Sequence, residues 1–182
     1  MLWIFQMLQN KPNYCKRLGK VDVSKFLELI KDIRYSKNNN YNRESYFHGC
    51  DSCFIVEHKK IVDNNILEMF IESSKDLIDC LQLSYGSGSS DNIQLSLLKS
   101  NGVISSHCDN GDRFEETHRI HLPIITNNQV EFIIGNKSYN FEAGCVVEIN
   151  NQKTHSVINR SREDRIHLII DYKPNYRVTL KR

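Results

Sequence analysis

The chain has 182 residues, of which 40% are hydrophobic and 25% charged, with a formal net charge of +2, 3 Pro and 8 Gly. That composition fits one ordinary globular domain, long enough to bury a core. The near-zero charge disfavours a nucleic-acid partner, and no apolar run of about 18 residues is present to span a membrane.

In chain order, Met1 to Leu8 (MLWIFQML) is apolar but short, with no basic residue ahead of it and no small-residue cleavage site after it. A cytoplasmic, intracellular chain is therefore expected. Six scattered cysteines (15, 50, 53, 80, 108 and 145) agree, reading as reduced thiols rather than a disulfide framework. Val21 to Ile33 has apolar residues at helical spacing, with Ser24 as the expected N-cap. An Asn-rich loop (38–42) and a strand at Ser52 to Glu57 follow, and then a second helix over Asn65 to Leu81. Cys50 and Cys53 in HGCDSC, with His48 beside them, have metal-like spacing, but no second CxxC or HxxxH pair follows, so they read as two thiols near a strand start. Tyr85 to Asp91 (YGSGSSD) is expected to be a loop.

Beyond Asn92 the period changes from 3.6 to 2. Strands are expected at Ile93 to Lys99, Val103 to Cys108, Arg119 to Thr126, Val130 to Ile134, Lys137 to Phe141, Cys145 to Ile149, Ser156 to Asn159 and Arg165 to Tyr172, with Gly135-Asn136 as a hairpin turn. This pattern suggests a sandwich or small barrel of the jelly-roll type, mainly β with α, with the two N-terminal helices packed on its outside. A single domain over 1–182 divides into helical support (1–91), a β core (92–173) and a basic tail (174–182). Lys173 to Arg182 carries four positive charges and no acid, which fits a solvated tail or a contact with an acidic partner.

Five of the seven histidines lie between His107 and His167. Alternation puts Arg119 and His121 on one face of their strand and Ile120, Leu122 and Ile124 on the other. The strand from Arg165 repeats the design, with Arg165 and His167 opposite Ile166, Leu168 and Ile170. The apolar faces belong against the helices. The polar faces look either into water or into the interior, where cations need an anionic partner. His118 points opposite His121 and reads as a surface or packing residue, whereas His167 is either close to the site or a core histidine. His107-Cys108-Asp109 places an imidazole and a carboxylate on one side of an extended segment, with Cys108 turned away, and His155 follows 48 residues after His107. Two His and one carboxylate on a β scaffold match the facial triad of Fe(II) oxygenases. Arg165, ten residues further on, supplies what a dicarboxylate co-substrate needs. Asn150 and Asn151 shape the turn before His155.

The runs HRIHLPI (His118 to Ile124), VEINNQKTHSVIN (Val147 to Asn159) and DRIHLIIDY (Asp164 to Tyr172) resemble the aspartyl/asparaginyl β-hydroxylase family of Fe(II)/2-oxoglutarate-dependent dioxygenases, which also includes free-proline hydroxylases. The resemblance covers residues 92–173 and implies a double-stranded β-helix, a cupin-like jelly roll. It implies that His107, Asp109 and His155 bind iron, and that Arg165 pairs with the distal carboxylate of 2-oxoglutarate with help from the Ser96 hydroxyl. By the same resemblance His121 lies near the metal-bound end of the co-substrate, and Arg119 faces the prime substrate. Some animal members carry Gly where this chain has Asp109, so the complete triad resembles the amino-acid-hydroxylase branch at least as well. The expected activity is hydroxylation of an Asp or Asn side chain in a protein or peptide, or of a free amino acid such as proline. Fe(II), 2-oxoglutarate and O2 are the implied cofactors, and 2-oxoglutarate is decarboxylated to succinate. The alternatives are a non-catalytic jelly-roll sensor for a metal or small anion, and an interaction protein whose β half is structural.

Overall fold

The computed structural model describes residues 11–31, 33–37 and 47–175. The apolar start, the Asn-rich loop and most of the basic tail lie outside them. Eleven strands form one curled antiparallel sheet: β1 (Cys15–Lys20), β2 (Ser36–Lys37), β3 (Phe47–Glu57), β4 (Lys60–Ile61), β5 (Gly88–His107), β6 (His118–Ile125), β7 (Val130–Ile134), β8 (Lys137–Tyr139), β9 (Cys145–Ile149), β10 (His155–Asn159) and β11 (Arg165–Pro174). The order β1-β9-β6-β11-β5-β10-β7-β8, with β3 added along β5, is that of a jelly roll. Four helices accompany it among the described residues: α1 (Ser24–Leu29), α2 (Asn64–Ser73), α3 (Lys75–Tyr85) and the one-turn α4 (Asp112–Glu115). None is long and apolar enough to cross a membrane.

The curl comes from β5. Its first half pairs with β11, from Gly88↔Pro174 to Leu98↔Arg165, and its second half pairs with β10, from Val103↔Ile158 to His107↔His155. Between them lie Asn101 at φ 56° and Gly102, where the strand changes direction. The two strands expected there are thus one bent strand that serves both walls of the roll.

Ile120, Leu122 and Ile124 of β6 and Leu168 and Ile170 of β11 pack outward against Phe26, Leu29, Phe70, Leu77 and Leu81 of the helices. Each such fully buried side chain stabilises the fold by roughly 1.5–3 kcal/mol relative to exposure. A second cluster, including Leu98, Ile104, Phe132, Ile134, Val147 and Val157, fills the inside of the roll.

Several local expectations are corrected. Ser24 is the first helical residue rather than the cap: Asp22 accepts from the Ser24 amide (3.0 Å) and hydroxyl (2.6 Å). The long second helix is two helices broken at Ser74, whose φ of −100° and ψ of 4° interrupt the ladder while Phe70 and Leu77 both stay buried. Asp63 caps α2 by accepting from the Ile66 amide. The loop expected through Asp91 yields to β5 from Gly88 onward, and β1 was not anticipated. The Gly135-Asn136 turn is present, with Gly135 at φ 59° joining Ile134 to Lys137.

Candidate active site

Chain connectivity brings His107, Asp109 and His155 together. His107 ends β5, His155 starts β10, and the two are direct cross-strand partners with rings 4.3 Å apart. Asp109 follows two residues after β5, its amide held 3.0 Å from the Asn151 carbonyl in the turn that leads to His155. One ligand atom from each of the three falls within 4.8 Å of the others. His107 Nδ1 lies 2.7 Å from the Ser105 carbonyl and His155 Nδ1 lies 2.9 Å from that of Lys153. A carbonyl only accepts, so both protons sit on Nδ1 and both Nε2 atoms are free to ligate a metal. Two imidazoles and a carboxylate are a fitting donor set for Fe(II). Cys50 and Cys53 join no such cluster among the described residues.

The triad opens onto a cavity of about 200 Å³ that Ser96, Arg119, His121 and Arg165 also line. Arg165 is 1% exposed, has no carboxylate partner among the described residues, and leaves its Nε unpaired. Its Nη1 donates to Ser96 Oγ at 3.4 Å. Burial pulls the guanidinium pKa down to about 9, so the cation persists at neutral pH in a place where a charge is costly unless an anion joins it. His121 is buried with both ring nitrogens unpaired, its pKa driven well below the ordinary value first by burial and then by Arg165, Arg119 and His155. His167 is buried beside it, rings 5.8 Å apart, likewise unpaired and neutral. The interior face is therefore cationic and short of acceptors, which suits a bound dicarboxylate.

Arg119 has different partners from those expected of it. Its Nε and Nη2 donate to the two oxygens of Asp171 (2.8 and 2.9 Å), and its Nη1 donates to Asp109 Oδ2 at 2.5 Å. The bidentate fork is thus occupied by the protein itself, and Arg119 orients the Asp109 carboxylate. Burial would lower the Arg119 pKa, but Asp171 and Asp109 outweigh it and raise it. His118 faces the helices, where Nδ1 pairs with buried Glu148 at 2.6 Å and the ring stacks on Tyr85 at 4.0 Å; it is a packing residue. Asp171 was missed by the sequence reasoning, although alternation from Arg165 through His167 and Ile169 puts it on the inward face. Asn92, whose amide donates to Asp171 Oδ2 at 2.9 Å, lies on β5 in the same alternation as Ser96. Arg113 and His58, also at the cavity wall, had no such signal because they come from a one-turn helix and a tight turn.

Comparison with known proteins agrees with this geometry. The profile of the family described as Aspartyl/Asparaginyl beta-hydroxylase matches residues 56–174, beginning earlier than the motifs alone did. No curated protein matches the sequence. Among solved structures, an oxidoreductase of the 2OG-Fe(II) oxygenase family from Burkholderia pseudomallei is similar at 12% identity and a TM-score of 0.64, over 83% of this chain and 77% of that one. A Pseudomonas putida prolyl-4-hydroxylase is 12% identical with a TM-score of 0.58, over 95% of this chain and 100% of that one. The viral collagen prolyl hydroxylase of Paramecium Bursaria Chlorella virus-1, solved as a 2OG complex, is 6% identical with a TM-score of 0.59, over 90% and 98%. At these identities the structures speak for the fold, and the family rests on the profile match over most of the chain. The chain belongs to the aspartyl/asparaginyl β-hydroxylase family of Fe(II)/2-oxoglutarate-dependent dioxygenases.

Proposed function

We propose that this chain hydroxylates an amino-acid-like group, either an Asp or Asn side chain in a protein or a free amino acid such as proline. In this proposal His107, Asp109 and His155 hold the iron, Arg165 and Ser96 anchor the distal carboxylate of 2-oxoglutarate, and His121 lies along the co-substrate. The carrying observation is the juxtaposition of a three-donor cluster with a buried, acid-free guanidinium in one cavity. When bound, Fe(II) supplies the activation of O2 that couples decarboxylation of 2-oxoglutarate to insertion of one oxygen atom into a C–H bond.

The protein contributes position and dryness. The Ser105 and Lys153 carbonyls fix the two imidazoles in the metal-binding tautomer, and Arg119 with the Asn151 carbonyl fixes Asp109. Ile104, Phe132, Val157 and Ile169 supply apolar wall that keeps water from the reacting centre. Because both carboxylates of 2-oxoglutarate are charged, a guanidinium in a water-poor setting binds the distal one strongly and in a defined orientation.

The test is a turnover screen with Fe(II) and 2-oxoglutarate over free amino acids and Asp- or Asn-containing peptides, following succinate and the product mass. The expected result is stoichiometric succinate with a gain of one oxygen, and at least a ~100-fold loss in His155→Ala. Turnover retained in that variant would overturn the ligand assignment.

A further inference from the structure

Three guanidiniums line the cavity, those of Arg113, Arg119 and Arg165. Arg119 is spent on Asp171 and Asp109, and Arg165 is given above to the co-substrate. Arg113 sits on α4, four residues past Asp109. No carboxylate lies within ion-pair distance of it among the described residues, although Glu57 and Asp109 share the cavity wall and Asp171 feels its charge. Its contacts are neutral or aromatic: Nη1 lies 2.8 Å from His58 Nδ1, and the guanidinium carbon stands 4.3 Å from the centroid of the Phe114 ring. An imidazole nitrogen takes one hydrogen bond, whereas a guanidinium offers five donors in a planar fork. Arg113 is therefore a positioned cation that feels Asp171 from a distance but has no acid paired with it among the described residues.

Its surroundings are built rather than loose. His58 lies in the two-residue turn between β3 and β4, at φ 50°, and its amide donates to Asn92 Oδ1 at 2.9 Å. The Asn92 side-chain amide then donates to Asp171, which holds Arg119, which holds Asp109. The Phe114 ring also receives the Arg119 guanidinium, at 4.8 Å, so Arg113 and Arg119 are both stacked on one buried ring. Arg113 thus lines the same cavity as the carboxylate that serves the metal and is tied to it through this chain of contacts.

We propose that Arg113 binds a carboxylate of the prime substrate, which takes the place of His58 on the guanidinium, and that the substrate is accordingly a carboxylate-bearing amino acid or peptide group. This assignment rests on the function proposed above and gives to Arg113 the role the sequence suggested for Arg119. The carboxylate comes either from a free α-carboxylate or from an acidic side chain, and the two are separable.

The experiment uses the full chain loaded with Fe(II) for turnover and with Mn(II) for calorimetric binding, each with 2-oxoglutarate. The probes are free L-amino acids against their α-amides, and blocked Asp peptides against blocked Asn peptides. The expected result is that one carboxylate-bearing probe binds and is hydroxylated, and its amide counterpart does so at least tenfold more weakly. Arg113→Gln is expected to raise KM for that probe at least tenfold with a much smaller change in kcat, and Arg113→Lys to restore part of the loss. The amino-acid arm winning identifies an α-carboxylate, and the peptide arm winning identifies an acidic side chain. Equal behaviour of acid and amide, an unchanged KM in Arg113→Gln, or the absence of binding by every carboxylate probe overturns the proposal. Should the enzyme consume 2-oxoglutarate with none of the probes, the function proposed above fails, while the binding arm still decides Arg113.

Discussion

Asp171 and Arg119 form a largely buried ion pair, with side-chain exposures of 3% and 16%. Burial alone would raise the Asp171 pKa, but Arg119 and the Asn92 amide more than offset it and hold the carboxyl below its ordinary value. Removing the charge leaves a largely buried guanidinium with Asp109 as its single acid. Asp171→Asn is therefore expected to lower the unfolding free energy by about 3 kcal/mol, read by urea denaturation. It is also expected to weaken Mn(II) binding, because Arg119 then competes with the metal for Asp109. Wild-type stability and metal affinity together would show that Arg119 does not depend on Asp171. Strand alternation from Arg165 already places Asp171 inward, but no rule of spacing says that Arg119 on the neighbouring strand lies directly opposite it. The register Asp171↔Arg119 supplies that.

At the level of elements, β7 and β9 have the bounds expected from their period, and the polar and apolar faces of β6 and β11 separate as alternation requires. Those strands were legible because burial on one face imposes a period of 2. β1 was not, because its half-exposed residues carry little pattern and it is defined by pairing with β9, far away in sequence. The break at Ser74 was equally hidden, since the apolar spacing runs straight through it. The joint between β1 and α1 shows how such distant pairing is secured. Gly144, at φ 79°, accepts from the Val21 amide and donates to Pro123, each at 2.9 Å, and a Cβ there would come 2.4 Å from the Val21 carbonyl oxygen. Gly144→Ala is expected to cost about 2 kcal/mol or more, since backbone must move and a left-handed conformation is imposed on Ala. A thermal melt checks this, and an unchanged melting temperature would mean that the β1 end is free to shift.

For the whole molecule, a roll whose interior is cationic and imidazole-rich carries a pH signature of its own. His121 and His167 are both kept neutral in the fold, chiefly by burial and next by Arg165, with pKa values well below 6.5. The unfolded chain protonates them below about pH 6.5 and the folded chain does not, so the unfolded state binds more protons there. Their contribution is fully present above that pH and declines as pH falls below it. Each group adds a slope of up to about 1.4 kcal/mol per pH unit. His155, also lowered chiefly by burial, works in the same direction. Asp171, with its depressed pKa, loses its contribution only below the ordinary carboxylate range, so the two windows are separate. The metal-free protein is accordingly expected to lose stability steadily between pH 7 and 5. His167→Leu should reduce that slope by up to about 1.4 kcal/mol per pH unit and leave stability at pH 7.5 equal or higher, because it removes two buried nitrogens that have no partner. Urea unfolding at several pH values decides it: a variant slope equal to the wild type would mean that His167 titrates normally in the folded chain. Because Arg165 is the second cause of both shifts, the cation that would hold an anionic co-substrate also adds to the acid sensitivity of the protein.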